Sequence, residues 1–216
     1  MTALTLVLAP AEQATLAVRD VLADWAAVGL LQPLLWLDQD QVTRHDGSPN
    51  AIRGDLLGAG PGRAASVADV LHGRRLDELI RLCALDVADG SSTGADERAA
   101  GLLRQMLGRA ELSPVHLTLT RPGSNWTRHS VWAAWHNLLL DPHDAASPNT
   151  FGQPMNVQTS DAAFTAHAAA GLACTLGLWT GLPDAALDAQ HPGNGRYLRL
   201  VRGYHRRLDS AAVTGA

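Results

Sequence analysis

The chain has no lysine; all 17 of its basic residues are arginine. Guanidinium stays protonated at any physiological pH, so no side chain here can act as a tunable amine. That excludes a Schiff base with a carbonyl substrate or with pyridoxal phosphate. It also excludes the phosphate-binding lysine of a P-loop and the strand lysine of a kinase. A GC-rich bacterial genome, which favours arginine, alanine and glycine codons, accounts for this composition, and the exclusion holds whatever its origin. Cysteine is scarce, with only Cys83 and Cys174, both in apolar contexts. Two buried reduced thiols are expected rather than a secreted disulfide scaffold. The first basic residue is Arg19, so the positive leading segment of a secretory signal is missing. Gly-x-Ser-x-Gly, HExxH and paired-cysteine metal frames do not occur. No cofactor and no metal site is expected.

What remains is ample for a core. The 216 residues are 46% apolar, and the formal charge of −4 argues against a polycation that seeks nucleic acid. One uncharged stretch, Ala162 to Leu182, is long enough to cross a bilayer. Its alanines and glycines give little drive into hydrocarbon, and Asp161 and Asp184 flank it where basic residues would be favoured. It reads as a buried helix of a cytoplasmic protein with no membrane span.

The order of elements points to one architecture. Thr2 to Leu8 is a short apolar run with no charge, a buried strand. Glu12 to Val28 shows helical spacing in Leu16, Val18, Val21, Leu22 and Trp25, and Gly29 can stop it. Pro33 to Leu37 is a second strand. From Asp38 to Gly62 Gly, Pro, Asn and Asp accumulate, which predicts a long loop. A short helix over Ala64 to Leu71, a strand in the later part of Leu76 to Val87, a loop over Asp89 to Gly94 and a helix from Asp96 to Leu107 follow. Pro114 to Thr120 alternates cleanly as a strand. Helices are expected at about Thr127 to Leu140, Asp161 to Trp179 and Gly195 to Ser210. The fold class is therefore α/β: a mostly parallel sheet with helices on both faces and a helical C-terminal extension. Residues 1–216 are read as a single domain, with a sheet-containing part to about 125 and a helical part over about 126–212.

Several constellations bear on function. Gly60-x-Gly62-x-x-Ala65 fits a relaxed dinucleotide-binding pattern, but that mechanism needs a strand before it and a helix N-terminus after it. Asn50 to Leu57 does not look like that strand, so a flexible glycine loop is the competing reading. Ligands in open parallel sheets collect beyond the carboxyl ends of the strands. There Asp38, Asp40, Asp86 and Asp89 stand either as solvated loop acids or as a divalent-metal set. His129, His136 and His143 recur every seven residues. Two helical turns would separate the first two by about 10.5 Å, too far for shared metal ligation. His167 reads as a core or boundary histidine.

Tryptophan is over-represented, six against two Phe and two Tyr. Trp132 and Trp135 sit three apart, either as core or as an aromatic surface for a partner. Toward the C-terminus Arg196, Arg199, Arg202 and Arg206 follow helical spacing, either as a solvated face or as a face for an acidic partner, a phosphate-bearing ligand or a membrane surface. No catalytic set survives, so a non-catalytic interaction or regulatory module, one component of a larger assembly, is expected. Trp132, Trp135, Arg199, Arg202 and Arg206 are its partner-binding candidates. The alternative is an enzyme or sensor that binds a small anionic ligand, a nucleotide or phosphorylated metabolite, at the strand ends through Arg63, Arg121 and Ser124.

Overall fold

In a computed structural model, residues 3–46, 48–72, 78–88, 95–108, 112–120, 131–141, 161–182, 185–190, 192 and 198–202 are described. They form an α/β fold around one eight-stranded sheet. The strands are β1 (Leu4–Ala9), β2 (Leu34–Asp38), β3 (Arg53–Leu57), β4 (Arg63–Ser66), β5 (Ile80–Ala88), β6 (Leu112–Thr120), β7 (His136–Asp141) and β8 (Leu198–Arg202). The helices are α1 (Gln13–Ala27), α2 (Gln39–Arg44), α3 (Val67–Leu71), α4 (Glu97–Leu107) and α5 (Asp161–Thr175). The strand order is β4-β3-β2-β1-β5-β6-β7-β8. Pairing is parallel from β2 through β8, and antiparallel only between β2 and β3 and between β3 and β4. The strand order reverses between β1 and β5, because the chain first moves outward to β2 and later returns to β1's other side.

The sequence dictates these elements locally. Helix α1 ends where Gly29 takes a φ of +78°, a left-handed conformation that favours glycine. That turn lets Gly29 N–H bond the Ala26 carbonyl and Leu30 N–H bond the Trp25 carbonyl, so the end of the helix is satisfied. Asp38, Ser66 and Asp96 cap α2, α3 and α4 with side-chain oxygens that accept from backbone N–H groups. In α5, Gly171 faces β7; a Cβ there would fall 2.6 Å from a Leu140 methyl, so a larger residue would force the Leu140 side chain to shift.

Strand side chains alternate between two apolar clusters, as the period of two requires. Val7, Ala9, Leu34, Trp36, Cys83, Leu85, Leu117 and Leu140 join Val18 and Leu22 of α1 and Leu172 of α5. Leu4, Leu6, Leu8, Leu35, Leu37, Leu82 and Ala84 join Val42 of α2, Val67 of α3 and Leu103 of α4.

Three sequence expectations need correction. The stretch from Asp38 to Gly62 is no long loop; it holds α2 and β3, and of the helix expected over Ala64 to Leu71 only Val67–Leu71 is helical, as α3, while Ala64 to Ser66 belong to β4. The helix expected over Thr127 to Leu140 gives way to β7, because the backbone turns at Ala134, with φ +60°, and extends from His136. The arginine-rich helix expected over Gly195 to Ser210 is, where described, strand β8. The sheet thus continues through residue 202 and does not stop near residue 125.

Candidate functional site

The carboxyl ends of the strands are the natural ligand position in such a sheet. Among the described residues there, Asp38 and Asp96 are engaged by the fold. Asp38 accepts from Asp40 N–H, and Asp96 accepts from Arg98 N–H. Asp96 also accepts from the Thr43 hydroxyl at 3.2 Å, while its own N–H donates to the buried Gln39 side chain at 2.9 Å. The switch point is therefore a tie between α2 and α4. Its charge is acidic, with Glu12, Asp38, Asp40, Asp86, Asp96 and Glu97 near it. Among the described residues no group of three or more His, Cys, Asp or Glu is placed to hold a metal ion.

Of the three expected anion contacts, only Arg63 falls on the described residues. Arg63 opens β4, at the far edge of the sheet. Five inter-strand steps separate β4 from β6, about 24 Å at the usual strand spacing. Arg121 and Ser124 lie outside the described residues, as do Arg206, Asp89, His129 and His143. The glycine pattern Gly60, Gly62 and Ala65 falls on the β3–β4 hairpin. The glycine turn lies at the opposite end of β4 from the N-terminus of α3, so a pyrophosphate at the glycines would not face that helix.

The aromatic candidates turn inward. Trp132 and Trp135 are 2% and 6% exposed and meet edge to face, 5.1 Å between centroids. Trp132 stacks on the His116 ring at 4.0 Å and an interplanar angle of 5°. Asn137 at the start of β7 ties this group to the backbone. Its Nδ2 donates to the Trp132 carbonyl at 2.9 Å and the Trp135 carbonyl at 3.0 Å, and its Oδ1 accepts from Trp132 N–H at 2.8 Å. Neither tryptophan offers a surface to a partner. His116 and Asn137 were not singled out from the sequence; the only available signal was a histidine inside the alternating run of β6.

A second buried polar group is ionic. Arg81 of β5 is 1% exposed and donates to Asp188 through Nε and Nη2, and to the Gly177 carbonyl. Asp188 also accepts from Ala185 N–H, so Arg81 ties Gly177 and residues 185–188 to the sheet. On the outer strands, His136 Nε2 lies 3.0 Å from the Gln190 carbonyl, and Arg199 donates to the Gln190 side chain at 2.7 Å. Arg202 lies at the end of β8, in register with Asp141 of β7.

The surface feature with no structural role of its own is apolar. Val28, Leu30 and Leu182 are 73%, 51% and 50% exposed. Hydrogen bonds gather them at one corner: Thr180 N–H donates to the Leu30 carbonyl, Leu182 N–H to the Trp179 carbonyl, and the Thr180 hydroxyl to the Gly29 carbonyl. Trp25 and Trp179 meet behind them at 5.4 Å. Trp179 Nε1 donates to the exposed Cys174 sulfur, which links the corner to α5. Along α5, Ala162, Ala166, Ala170 and Cys174 recur every four residues on the outward side, and no charged residue occurs between Asp161 and Thr175. Sequence spacing did not show this surface, because α1, the 178–182 turn and α5 meet only in three dimensions. Compared with protein-family models, curated proteins and solved structures, the chain matches none.

Proposed function

We propose that this chain is a non-catalytic interaction or regulatory module, acting in the bacterial cytoplasm as one component of a larger assembly. The observation that carries the reading is the exposed apolar corner of Val28, Leu30 and Leu182, continuous with the uncharged outer side of α5. Such a surface orders water unfavourably, and burying it against apolar side chains of a partner protein releases that cost. Helices on both faces of the sheet belong to the same proposal, supported by the two apolar clusters with their separate sets of helices. Arg199, exposed on β8, offers a polar contact to an acidic rim.

The competing reading, a small anionic ligand at the strand carboxyl ends, has weaker support. The described edge is acidic, and Arg63 stands five strands from β6. The test is a variant carrying Val28→Asp, Leu30→Asp and Leu182→Asp. Its melting temperature should stay near that of the parent, since all three side chains are solvent-facing. Affinity for a purified partner, found first by cross-linking to the parent chain, should fall about tenfold or more, that is about 1.4 kcal/mol. Unchanged affinity overturns the docking surface. A thermal-shift screen of nucleotides and phosphorylated metabolites should stay flat; saturable stabilisation would favour the ligand reading instead.

A further inference from the structure

The exposed corner is wider than its three aliphatic side chains. Gly60 N–H donates to the Ala27 carbonyl, which sets the exposed Ala59 and Pro61 of the β3–β4 turn beside the end of α1. The chain carries no Asp, Glu or Arg from Trp25 to Leu37, from Leu56 to Gly62 or from Ala162 to Leu182. All three stretches meet at this corner.

The flank of the corner carries charge of one sign. Asp20, Asp24 and Val28 stand four apart along α1 to its C-cap, and all three are exposed. Residues four apart on a helix are neighbours, with Cβ atoms about 5–6 Å apart. One carboxylate therefore lies a turn from Val28, and a second lies a turn further on. Arg19 donates to both Asp20 and Asp55, so its single positive charge is divided between two carboxylates. Asp24 forms no ion pair among the described residues. The line from Asp20 to Val28 thus keeps a net negative charge.

We infer, resting on the docking surface proposed above, that the corner receives a protein segment whose apolar side chains are flanked by arginine or lysine. The apolar side chains cover Val28, Leu30 and Leu182, and a cation one helical turn away meets Asp24. An anionic membrane would be repelled by the same two carboxylates. A second copy docked corner to corner about a two-fold axis would bring Asp24 toward its equivalent, and like charges oppose that pairing.

Amide NMR on the 15N-labelled full chain tests this with two synthetic amphipathic peptides that share one leucine pattern. One has lysine at its polar positions and the other has glutamate. The lysine peptide should shift the Val28, Leu30 and Leu182 signals saturably and bind about tenfold or more tightly than the glutamate peptide. Asp24→Asn should weaken the lysine peptide about two- to fivefold, the scale of one exposed charge pair, and added salt should weaken it too. A variant carrying Leu30→Ser and Leu182→Ser should weaken both peptides. Equal binding of the two peptides at the corner would overturn the basic requirement and leave the docking surface standing. If neither peptide shifts those signals, the partner chemistry and the docking surface both fail. Dimerisation seen by light scattering and lost in the double serine variant would make a second copy the occupant. Cosedimentation with vesicles of phosphatidylcholine and phosphatidylglycerol, lost in the same variant, would make it a membrane. Either result overturns the basic protein segment.

Discussion

On the side of the sheet covered by α1 and α5, polar side chains keep to the amino-terminal margin. Thr5, Arg81 and Ser113 form one register row there, and His136 lies at the same end of β7. Past that row this side is apolar, through Cys83, Leu85, Val115, Leu117, Leu138 and Leu140. The other side reverses the pattern. It starts apolar with Leu4, Leu6 and Leu82, then carries His116, Thr118 and Thr120 from the middle of β6 to its carboxyl end and Asn137 at the start of β7. The first side handles its buried charge with an opposite charge from a distant segment. The second uses neutral groups bonded to nearby backbone. Both avoid the cost of an unsatisfied polar group, but the ionic solution fails harder when one partner is removed.

The largest effect should therefore come from Asp188→Ala. It leaves the Arg81 guanidinium buried without its counter-ion and should destabilise the chain by about 3–5 kcal/mol in denaturant unfolding. Adding Arg81→Met to an Asp188→Leu background should recover much of that loss. If Asp188→Ala costs under about 1 kcal/mol, the two sides do not differ as described. Next comes Asn137→Leu, which strands Trp132 N–H and two carbonyls beside the stacked ring. It should cost about 1–3 kcal/mol and weaken the near-ultraviolet circular dichroism of the tryptophans.

A chemical contrast within the α1–α5 side is cheaper to measure. Burial pushes the Cys83 thiol far above its ordinary range, whereas Cys174 is exposed. A water-soluble thiol reagent should modify one cysteine in the native chain and two after unfolding. Rapid native labelling of both would mean that the cluster around Cys83 is open. The smallest effect concerns Asp69 on α3. Hydrogen bonds from the Ser66 backbone N–H and hydroxyl lower its carboxyl pKa, with Arg53 and Arg63 adding to them. A lowered folded value means that its contribution is fully present above the ordinary carboxylate range and is lost as pH falls through the folded pKa. Carboxyl-carbon NMR should show Asp69 titrating below a typical aspartate, and Ser66→Ala should bring it back up.

The sequence was most legible where one signal acted alone. Thr2 to Leu8, the spacing of Leu16, Val18 and Leu22, and the alternation of Pro114 to Thr120 lie close to β1, α1 and β6. Two short antiparallel strands escaped notice because Arg53–Leu57 is only partly buried and has a glycine at its second position. That glycine is required by close packing; a Cβ at Gly54 would sit 2.1 Å from the Trp36 carbonyl oxygen. Two other strands looked helical for a shared reason. Trp132, Trp135, Leu138 and Leu139 fall three and four apart, and Arg196, Arg199 and Arg202 fall three apart. In the first case spacing mimics a helix across a turn and a strand; in the second, Leu198 and Leu200 carry the true period of two. The ties that matter most, Arg81 to Asp188 and His116 to Asn137, are long-range and leave no local trace. The candidate docking corner is equally non-local, built from chain segments about 150 residues apart.

Arg81 and Asp188 are 107 positions apart. During synthesis the arginine leaves the ribosome long before its counter-ion exists, and a hydrated guanidinium resists entering a dry interior alone. A nascent chain that halts before residues 185–190 emerge would leave the guanidinium of β5, in the middle of the sheet, without the carboxylate that neutralises it.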